Sequence, residues 1–279
     1  MAIRSVLVLG LALALMVGCE KKAPGTPAPA PVGGTPAAAP AGGAPAAAPA
    51  AEAGASVLDP AKVANAATIT GTITIDGNVP APAPVDMKSK PECSAHQAMQ
   101  DQLVVSAGKG LKDCFVQVKK GLEKYKFAPP AEAAVIDNKG CMYHPHVLGI
   151  QVGQDIKLVN SDTFQHNMNC KDNNPFNVAI TPGGSETKKA WFKKGLVPTS
   201  FACEVHPWMA AKACVVNHPY WSVSDADGKF TIKGLPAGKY TIDVWHEAYP
   251  GLKAAQQSFE VEVKDGETKT QDFKYTIGG

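Results

Sequence analysis

Four side chains of this sequence have the chemistry and the spacing to bind one metal ion. Cys203, His206 and Met209 recur at every third residue of the stretch Phe-Ala-Cys-Glu-Val-His-Pro-Trp-Met. A tight loop with this spacing can direct a thiol, an imidazole and a thioether to one point. A second imidazole, His166, lies far enough upstream to belong to a neighbouring strand. Thiolate and thioether suit Cu(I) and imidazole suits both oxidation states, so the donors predict one copper ion of the blue, type 1 kind.

Other interpretations of the same residues stay open. Cys203 can form half of a disulfide, because the chain has other cysteines and a segment typical of exported proteins. A methionine three residues from a histidine is often a core residue. Zinc also accepts one Cys and two His, although a thioether is a poor zinc ligand. Finally, the domain that carries these residues can fold in the same way without binding any metal.

The pairs His166-Asn167 and Cys203-x-x-His206-x-x-Met209 resemble the metal-binding motifs of the cupredoxins, of the plastocyanin and amicyanin type. The resemblance covers roughly residues 134–216. It implies a Greek-key β-sandwich in which His166, Cys203 and His206 form an equatorial plane around type 1 copper, with Met209 as the axial contact.

The same resemblance implies a function. Cupredoxins carry single electrons between redox partners such as a c-type cytochrome or a dehydrogenase. It also implies that an exposed edge of His206, next to Pro207 and Trp208, is the exit for the electron. Backbone amides, including that of Asn167, would adjust the thiolate and the reduction potential.

The N-terminus is typical of a targeting segment. Arg4 precedes an apolar run that is short for a membrane span. The run ends Leu-Met-Val-Gly-Cys19, which resembles a bacterial lipobox, so residues 1–18 are predicted to be a lipoprotein signal peptide and Cys19 to be lipidated. An ordinary cleaved signal peptide and a tethering helix are the alternatives. We expect a membrane-anchored lipoprotein in the bacterial periplasm or at the cell surface.

Residues 19–60 are rich in Ala, Pro and Gly. Such a stretch has too little apolar surface to fold, so a disordered linker is predicted. The linker acts either as a tether that lets a soluble domain search for partners from the membrane surface, or as a passive spacer.

The remaining chain is predicted to be all-β. Residues 68–75 alternate strictly, with Ile69, Ile73 and Ile75 on one face, and residues 114–119 alternate as well. Residues 187–192 are a further strand candidate. Helical periodicity is weak and confined to residues 92–102.

Two domains are predicted, a cupredoxin-like domain over residues 61–218 and a second β-sandwich segment over residues 219–279. The patterns Asp225-x-x-Gly-x-Phe and Leu235-Pro-x-Gly-x-Tyr resemble carboxypeptidase-regulatory-like, transthyretin-like modules. Residues 68–75 resemble the opening strand of such a module. The copper domain is therefore expected to be packed with this module, and inserted in it with shared strands.

The sequence has seven cysteines. If Cys19 is lipidated and Cys203 binds metal, five remain for disulfides and one of these must stay unpaired. Cys93 with Cys141 is the first predicted pair and Cys170 with Cys214 the second, which leaves Cys114 on an apolar strand face as the free thiol. If instead all six pair, there is no blue-copper site.

The charge balance does not indicate a nucleic-acid partner, because 27 basic and 25 acidic residues give a net charge of +2. The lysines around Trp191 (Lys188, Lys189, Lys193 and Lys194) form either a solvated hairpin or a dock for an acidic redox partner. His144 and His146 suggest a second metal site, but without an obvious third ligand a structural or solvent-facing role is favoured.

No nucleophile–base pair or carboxylate pair has spacing that argues for an enzyme. Besides electron transfer, two functions stay open: copper storage or delivery, and a surface-binding module with an incidental metal site. The latter would present exposed aromatic side chains, for which Trp221, Trp245 and Tyr249 are the candidates.

Overall fold

The computed structural model describes residues 56–253 and 256–278. In these ranges regular structure consists of β-strands and one 3-10 turn, Pro60–Lys62, so the all-β fold class is confirmed. The predicted signal peptide, the lipidated Cys19 and most of the linker lie outside the described residues. No helix within the described ranges has the length and apolar character needed to cross a membrane.

A central sandwich is built from nine consecutive strands in two sheets. In order along each sheet, the strands are β10-β9-β12-β13-β7 and β11-β8-β5-β6. The two sheets enclose one apolar cluster that includes Ile136, Leu158, Met168 and Phe201. The strands are β5 Ala134–Lys139, β6 Met142–His144, β7 Val147–Gln151, β8 Ile156–Asn160, β9 His166–Cys170, β10 Phe176–Ile180, β11 Ser185–Lys188, β12 Leu196–Ala202 and β13 Ala210–Val216.

Strands on both sides of this block in the sequence form a second pair of sheets. Their orders are β14-β3-β16-β18 and β15-β2-β20-β17, with β19 also paired to β2. The central sandwich is thus inserted, along the chain, between β3 and β14. The strands before the sandwich are β1 Ser56–Val57, β2 Ala67–Gly77, β3 Phe115–Lys120 and β4 Tyr125–Lys126, of which β1 and β4 pair with each other; those after it are β14 Trp221–Val223, β15 Lys229–Leu235, β16 Gly238–Trp245, β17 Leu252–Lys253, β18 Gln256–Val263, β19 Thr268–Thr270 and β20 Phe273–Ile277.

Strand β2 shows why the alternating pattern is a reliable guide. Ile69, Ile73 and Ile75 are buried in the core of the flanking sheets, while the threonines between them are only partly buried. Cys114 precedes β3 and its thiol is free and buried in the same core, as predicted for the unpaired cysteine.

The weak helical pattern at residues 92–102 does not form a helix. It begins in turns, in which the amide of Cys93 donates to Lys90 and that of His96 donates to Cys93. One local prediction is wrong. The strand expected at residues 187–192 ends at Lys188, because the chain takes a positive φ of 41° at Ala190, which an extended strand does not contain.

A small third cluster joins the sandwich to the flanking sheets. Trp221 stacks on Phe115, with ring centroids 5.7 Å apart, and lies directly over Gly149 of β7. A Cβ at residue 149 would be 2.3 Å from the indole ring, so only glycine allows this contact. The indole therefore ties strands of both sheet pairs together.

The half-buried imidazole of His218 makes the stability of the fold depend on pH. Its Nδ1 accepts the Tyr220 amide at 3.2 Å, and burial lowers its pKa to about 4 against the opposing hydrogen bond to Val118. The unfolded chain therefore binds more protons between about pH 6.5 and pH 4. We expect the free energy of unfolding to fall by about 2 kcal/mol as pH drops through this window.

Denaturant unfolding of the wild type and of His218→Asn, at pH 7 and pH 4.5, measures this effect. The variant should lose less stability on acidification, whereas His96→Asn, at an exposed imidazole, should behave like the wild type. Equal acid losses in all three proteins would contradict the assignment.

Candidate metal centre

The loop between β12 and β13 carries three of the predicted ligands. Ala202 is opposite Ala210 in the antiparallel ladder, so Cys203 to Met209 form the whole connection. The Cys203 amide donates to the Met209 carbonyl at 3.1 Å, and the Met209 amide donates to the His206 carbonyl at 2.9 Å. These two bonds close the loop and fix the positions of its three donor residues.

The fourth predicted ligand, His166, begins strand β9, which pairs with β12. Its neighbour Asn167 joins this strand to the loop. The Asn167 Oδ1 accepts the Glu204 amide at 2.8 Å and the Cys203 thiol at 3.1 Å. Residues distant in the sequence are thereby held side by side.

The structure brings His166, Cys203 and His206 together as one group of donors. Their ligand atoms all lie within 4.8 Å of one another. The two Nδ1 atoms are 3.0 Å apart, and the Cys203 Sγ is 3.7 Å from the His206 Nδ1. Atoms bonded to one metal at about 2.0–2.3 Å are separated by about 3–4 Å, so the donor set fits a single ion.

All four predicted ligands are shielded from water. The side chains of His166, His206 and Met209 are 0% exposed and that of Cys203 is 4% exposed. Met209 lies at the end of the loop, in the same apolar cluster as Cys203. A thiolate and two imidazoles buried in an apolar wall are donors for a soft or borderline metal.

Two carboxylates that the sequence analysis did not identify contact the outer ring nitrogens. Asp162 Oδ2 is 2.8 Å from His166 Nε2, and Glu92 Oε1 is 3.4 Å from His206 Nε2. Histidine ligands characteristically donate their second N–H to such a group, which fixes the tautomer and the ring orientation. Both Nδ1 atoms are therefore free to face Cys203.

Asp162 is held by more than this histidine. It also accepts the Gly140 amide at 2.7 Å and the Cys141 amide at 2.9 Å. Burial raises the pKa of Asp162, but the Cys141 and Gly140 amides and His166 lower it by more, so the carboxylate is ionised. This anion couples the turn between β5 and β6 to the metal ligand.

The electrostatics of the site favour a thiolate. Burial raises the pKa of Cys203, but hydrogen bonding to His166 and the amides of Asn167, His206 and Val205 bring it below its usual value. Burial lowers the pKa of His166, yet Cys203 and Asp162 produce a net increase.

At His206 the balance is reversed: burial and the neighbouring His166 lower its pKa against the opposing effect of Glu92. This imidazole is therefore kept neutral, as a metal ligand must be.

The predicted disulfide between Cys93 and Cys141 is confirmed, with Cα atoms 5.9 Å apart. It pins residues 78–102, which we term the covering segment, to the turn between β5 and β6. Glu92 precedes the bridged Cys93, so the disulfide also holds this carboxylate next to His206. Two other possible metal groups use Cys141, but its sulfur is consumed by the bridge.

The predicted pair of Cys170 and Cys214 is wrong, and both thiols are free and buried. Strand β12 lies between their strands β9 and β13, which separates the chains by about 9–10 Å, beyond the reach of a disulfide. Cys170 faces the core of the sandwich, whereas Cys214 faces the junction cluster.

The expectation of an exposed His206 edge is also wrong. Glu92 and the rings of Trp208 and Phe164, with centroids 5.5 Å and 6.1 Å from the imidazole, surround His206. Next to His206 in this loop, Pro207 is exposed and Trp208 is half-buried, as is Phe164. The predicted Cys93–Cys141 bridge ties the covering segment to residue 141, but the sequence does not show that residue 141 lies near residue 206.

The two histidines that were considered as a second metal site lie in different environments. His144 is exposed and its Nε2 lies 3.2 Å from the Lys139 carbonyl. His146 is buried and contacts carboxylates of Asp101 and Glu247. The two imidazoles therefore do not act as a pair.

Comparisons with known proteins give distant matches. A family model described as polysaccharide lyase family 4, domain II, matches residues 193–271. A search of curated proteins found no match. Among solved structures, amicyanin from Paracoccus versutus is 21% identical with a TM-score of 0.27, over 36% of this chain and 96% of that one.

Two other matched structures are similarly distant. A purple cupredoxin from Nitrosopumilus maritimus is 24% identical with a TM-score of 0.26, over 30% of this chain and 99% of that one. A copper-containing nitrite reductase from Thermus scotoductus is 19% identical with a TM-score of 0.28, over 51% of this chain and 28% of that one. Likenesses this distant carry no argument, so the assignment of the centre rests on its own geometry.

Replacing Asp162 by Asn should weaken metal binding about ten- to hundredfold, the usual effect of losing such an outer partner. Without the anion, His166 loses the acceptor that orients its ring. Competition for Cu(I) with a chelator of known affinity measures the change. Asp137→Asn is the matched control, because Asp137 binds the adjacent Ser161 and no histidine; equal affinities in both variants would contradict the role of Asp162.

Removing the disulfide with Cys93→Ala/Cys141→Ala should lower the free energy of unfolding by about 2–4 kcal/mol. It should also accelerate loss of bound metal to a chelator, because the covering segment is released from His206. Unfolding curves and chelator kinetics measure the two effects. Glu92→Ala keeps the bridge and should change only the second; an unchanged release rate in the double variant would show that the segment does not restrict access.

Proposed function

We propose that this protein is a type 1 copper protein that carries single electrons and has no catalytic activity of its own. The observation that supports this is the buried group of His166, Cys203 and His206, in which a free thiol faces two inward-turned imidazole nitrogens. Met209 would supply the weak fourth donor from the same loop. This is the donor combination of blue-copper electron-transfer sites.

Copper bound by these residues would supply a centre that alternates between Cu(I) and Cu(II). The protein contributes a fixed geometry, because Asn167 locks the loop to β9 and two carboxylates orient the rings. Donors held in this way need little movement when the charge of the centre changes. The apolar surroundings exclude water, which reduces solvent reorganisation as well.

Electron exchange would occur through the half-buried aromatic rings and not through a bare imidazole edge. Trp208 contacts His206, and its indole Nε1 donates to the Cys141 carbonyl at 3.0 Å. Phe164 contacts both imidazoles. Together with the exposed Pro207, these rings offer a small apolar dock suited to short-lived complexes with a c-type cytochrome or a dehydrogenase.

The lysines around Trp191 are less suited to this task. Lys189 pairs with Asp155 at 2.7 Å, and Lys188 pairs with Glu186 and lies over the Trp191 ring. These charges are partly neutralised, which favours the solvated-hairpin interpretation.

Copper storage or delivery is the second function to test. Delivery requires that a target can replace the ligands, whereas here the donors are buried beneath a segment held by a disulfide. Slow transfer of copper to a chelator would favour the electron carrier, and rapid transfer would favour delivery.

A surface-binding role has less support. Trp245 is buried, Trp221 is stacked on Phe115, and Tyr249 packs against the core of the flanking sheets. These aromatic side chains contribute to packing and do not form an exposed platform.

For the whole chain we propose a lipoprotein anchored through Cys19 to a bacterial membrane, with the head exposed to the periplasm or the cell surface. The linker would let the head reach membrane-bound partners. Metabolic labelling with a fatty acid, abolished by Cys19→Ala, tests this placement; secretion of an unlabelled protein would contradict it.

The absorption spectrum of the oxidised protein after copper addition tests the central proposal. An intense visible thiolate-to-copper band should appear and should vanish in Cys203→Ser, because only a thiolate gives this transition. Cys170→Ser, which removes another buried free thiol, is the matched control and should retain the band. Full copper loading without the band would overturn the proposal.

A further inference from the structure

A second cluster of imidazole and carboxylate side chains lies at a cavity next to the loop between β12 and β13. The cavity has a volume of about 290 Å³, and its lining includes Trp208, His146, Asp101 and Asp86. It contains none of the four residues assigned to the copper centre. Genuinely empty cavities have apolar walls, whereas this one is lined by carboxylate and imidazole side chains as well.

The central side chain of this cluster is His146, which is 4% exposed. Its Nε2 is 2.7 Å from Glu247 Oε2, and Glu247 Oε1 is 3.3 Å from Lys212 Nζ. The carboxylate is thereby fixed as the acceptor of the Nε2 proton. The ring is oriented in the same way as His166 is by Asp162.

The other ring nitrogen lacks a hydrogen bond. Asp101 Oδ2 is 3.2 Å from His146 Nδ1, but within the described residues this nitrogen has no partner of hydrogen-bonding geometry. A buried nitrogen without a hydrogen bond is costly. The carboxylate is close enough to interact, yet it does not lie along the N–H direction.

This separation is the one expected for two ligands of one cation. Two atoms bonded at about 2.1 Å are about 3.0 Å apart at a right angle and about 3.4 Å apart at a tetrahedral angle. The oxygen then lies beside the nitrogen lone pair and not along it. A carboxylate on the second ring nitrogen is the usual companion of a histidine ligand.

We propose that His146 and Asp101 form a second metal site, which takes a divalent cation that accepts imidazole and carboxylate ligands, such as Zn²⁺. The cavity leaves room for water, and its lining residues Asp86, Gln100 and Gln102 have side-chain oxygens that would complete the coordination. The site is independent of Cys203. It adjoins the copper loop, because Pro207 and Trp208 line the same cavity.

The competing occupant is a proton. In the metal-free protein, burial lowers the pKa of His146, but Asp101 and Glu247 raise it by more, to about 9. The same carboxylates that attract this proton attract a cation, which must displace it from Nδ1. An imidazolium ion between two carboxylates is therefore the alternative that the experiment must separate.

Equilibrium dialysis of the full chain against Zn²⁺ tests the site. We expect His146→Gln to bind one Zn²⁺ fewer per chain than the wild type. Asp101→Asn should lower the affinity of this site for Zn²⁺ at least tenfold. The Asp101 side chain is partly exposed, so we expect this variant to fold. His144→Gln removes an exposed imidazole two residues away and should bind as the wild type does.

Cys203→Ser separates this result from the copper centre, because it removes a ligand of that centre and should leave the zinc ion at His146 in place. Thermal unfolding of every variant verifies that it is folded. If folded His146→Gln and Asp101→Asn bind zinc like the wild type, the cluster holds only a proton and the proposal is overturned.

Discussion

The pairing of β9 with β12 is the constraint on which the metal centre depends. It places His166 beside the loop that begins at Cys203, and the Asn167 side chain extends the ladder by one further pair of contacts. Without this pairing the His166 imidazole and the Cys203 thiol would lie too far apart to bind one metal ion. The ring orientations and the burial of the donors can act on one metal ion only because this pairing brings the donors together.

Burial then determines what the converged donors can do. A thiol that is buried among apolar side chains is normally inert because burial raises its pKa. Burial does so for Cys114 and Cys214. At Cys203 the adjacent His166 and three backbone amides reverse that effect. Asp162 acts on His166 and Glu92 on His206, since a fixed anion on the outer nitrogen favours an imidazole that donates outward and binds inward. Burial raises the pKa of Cys170 as well, so among the free cysteines of the described residues only Cys203 has a lowered thiol pKa.

The ligand loop and the strands with regular alternation could be predicted from the sequence, because both depend on residues close together in the chain. Asp162 could have been suspected, since it lies within the same stretch as His166. Glu92 could not, because the predicted Cys93–Cys141 bridge does not by itself show that Cys141 lies beside the loop that carries His206. The mispairing of Cys170 with Cys214 has a similar origin: proximity to a shared metal says nothing about which face of a sheet a side chain occupies.

Strand β13 shows how the two halves of the fold depend on each other. Ala211, Ala213 and Val215 face the core of the sandwich, and Cys214 and Val216 face the junction with the flanking sheets. A strand buried on both faces is apolar at nearly every position, as the run Ala-Ala-Lys-Ala-Cys-Val-Val is. The lysine in this run, Lys212, contacts Glu247 of the flanking part. The strand that follows Met209 is therefore also a strand that packs against the flanking sheets, so β13 links the candidate ligand loop to that part of the fold.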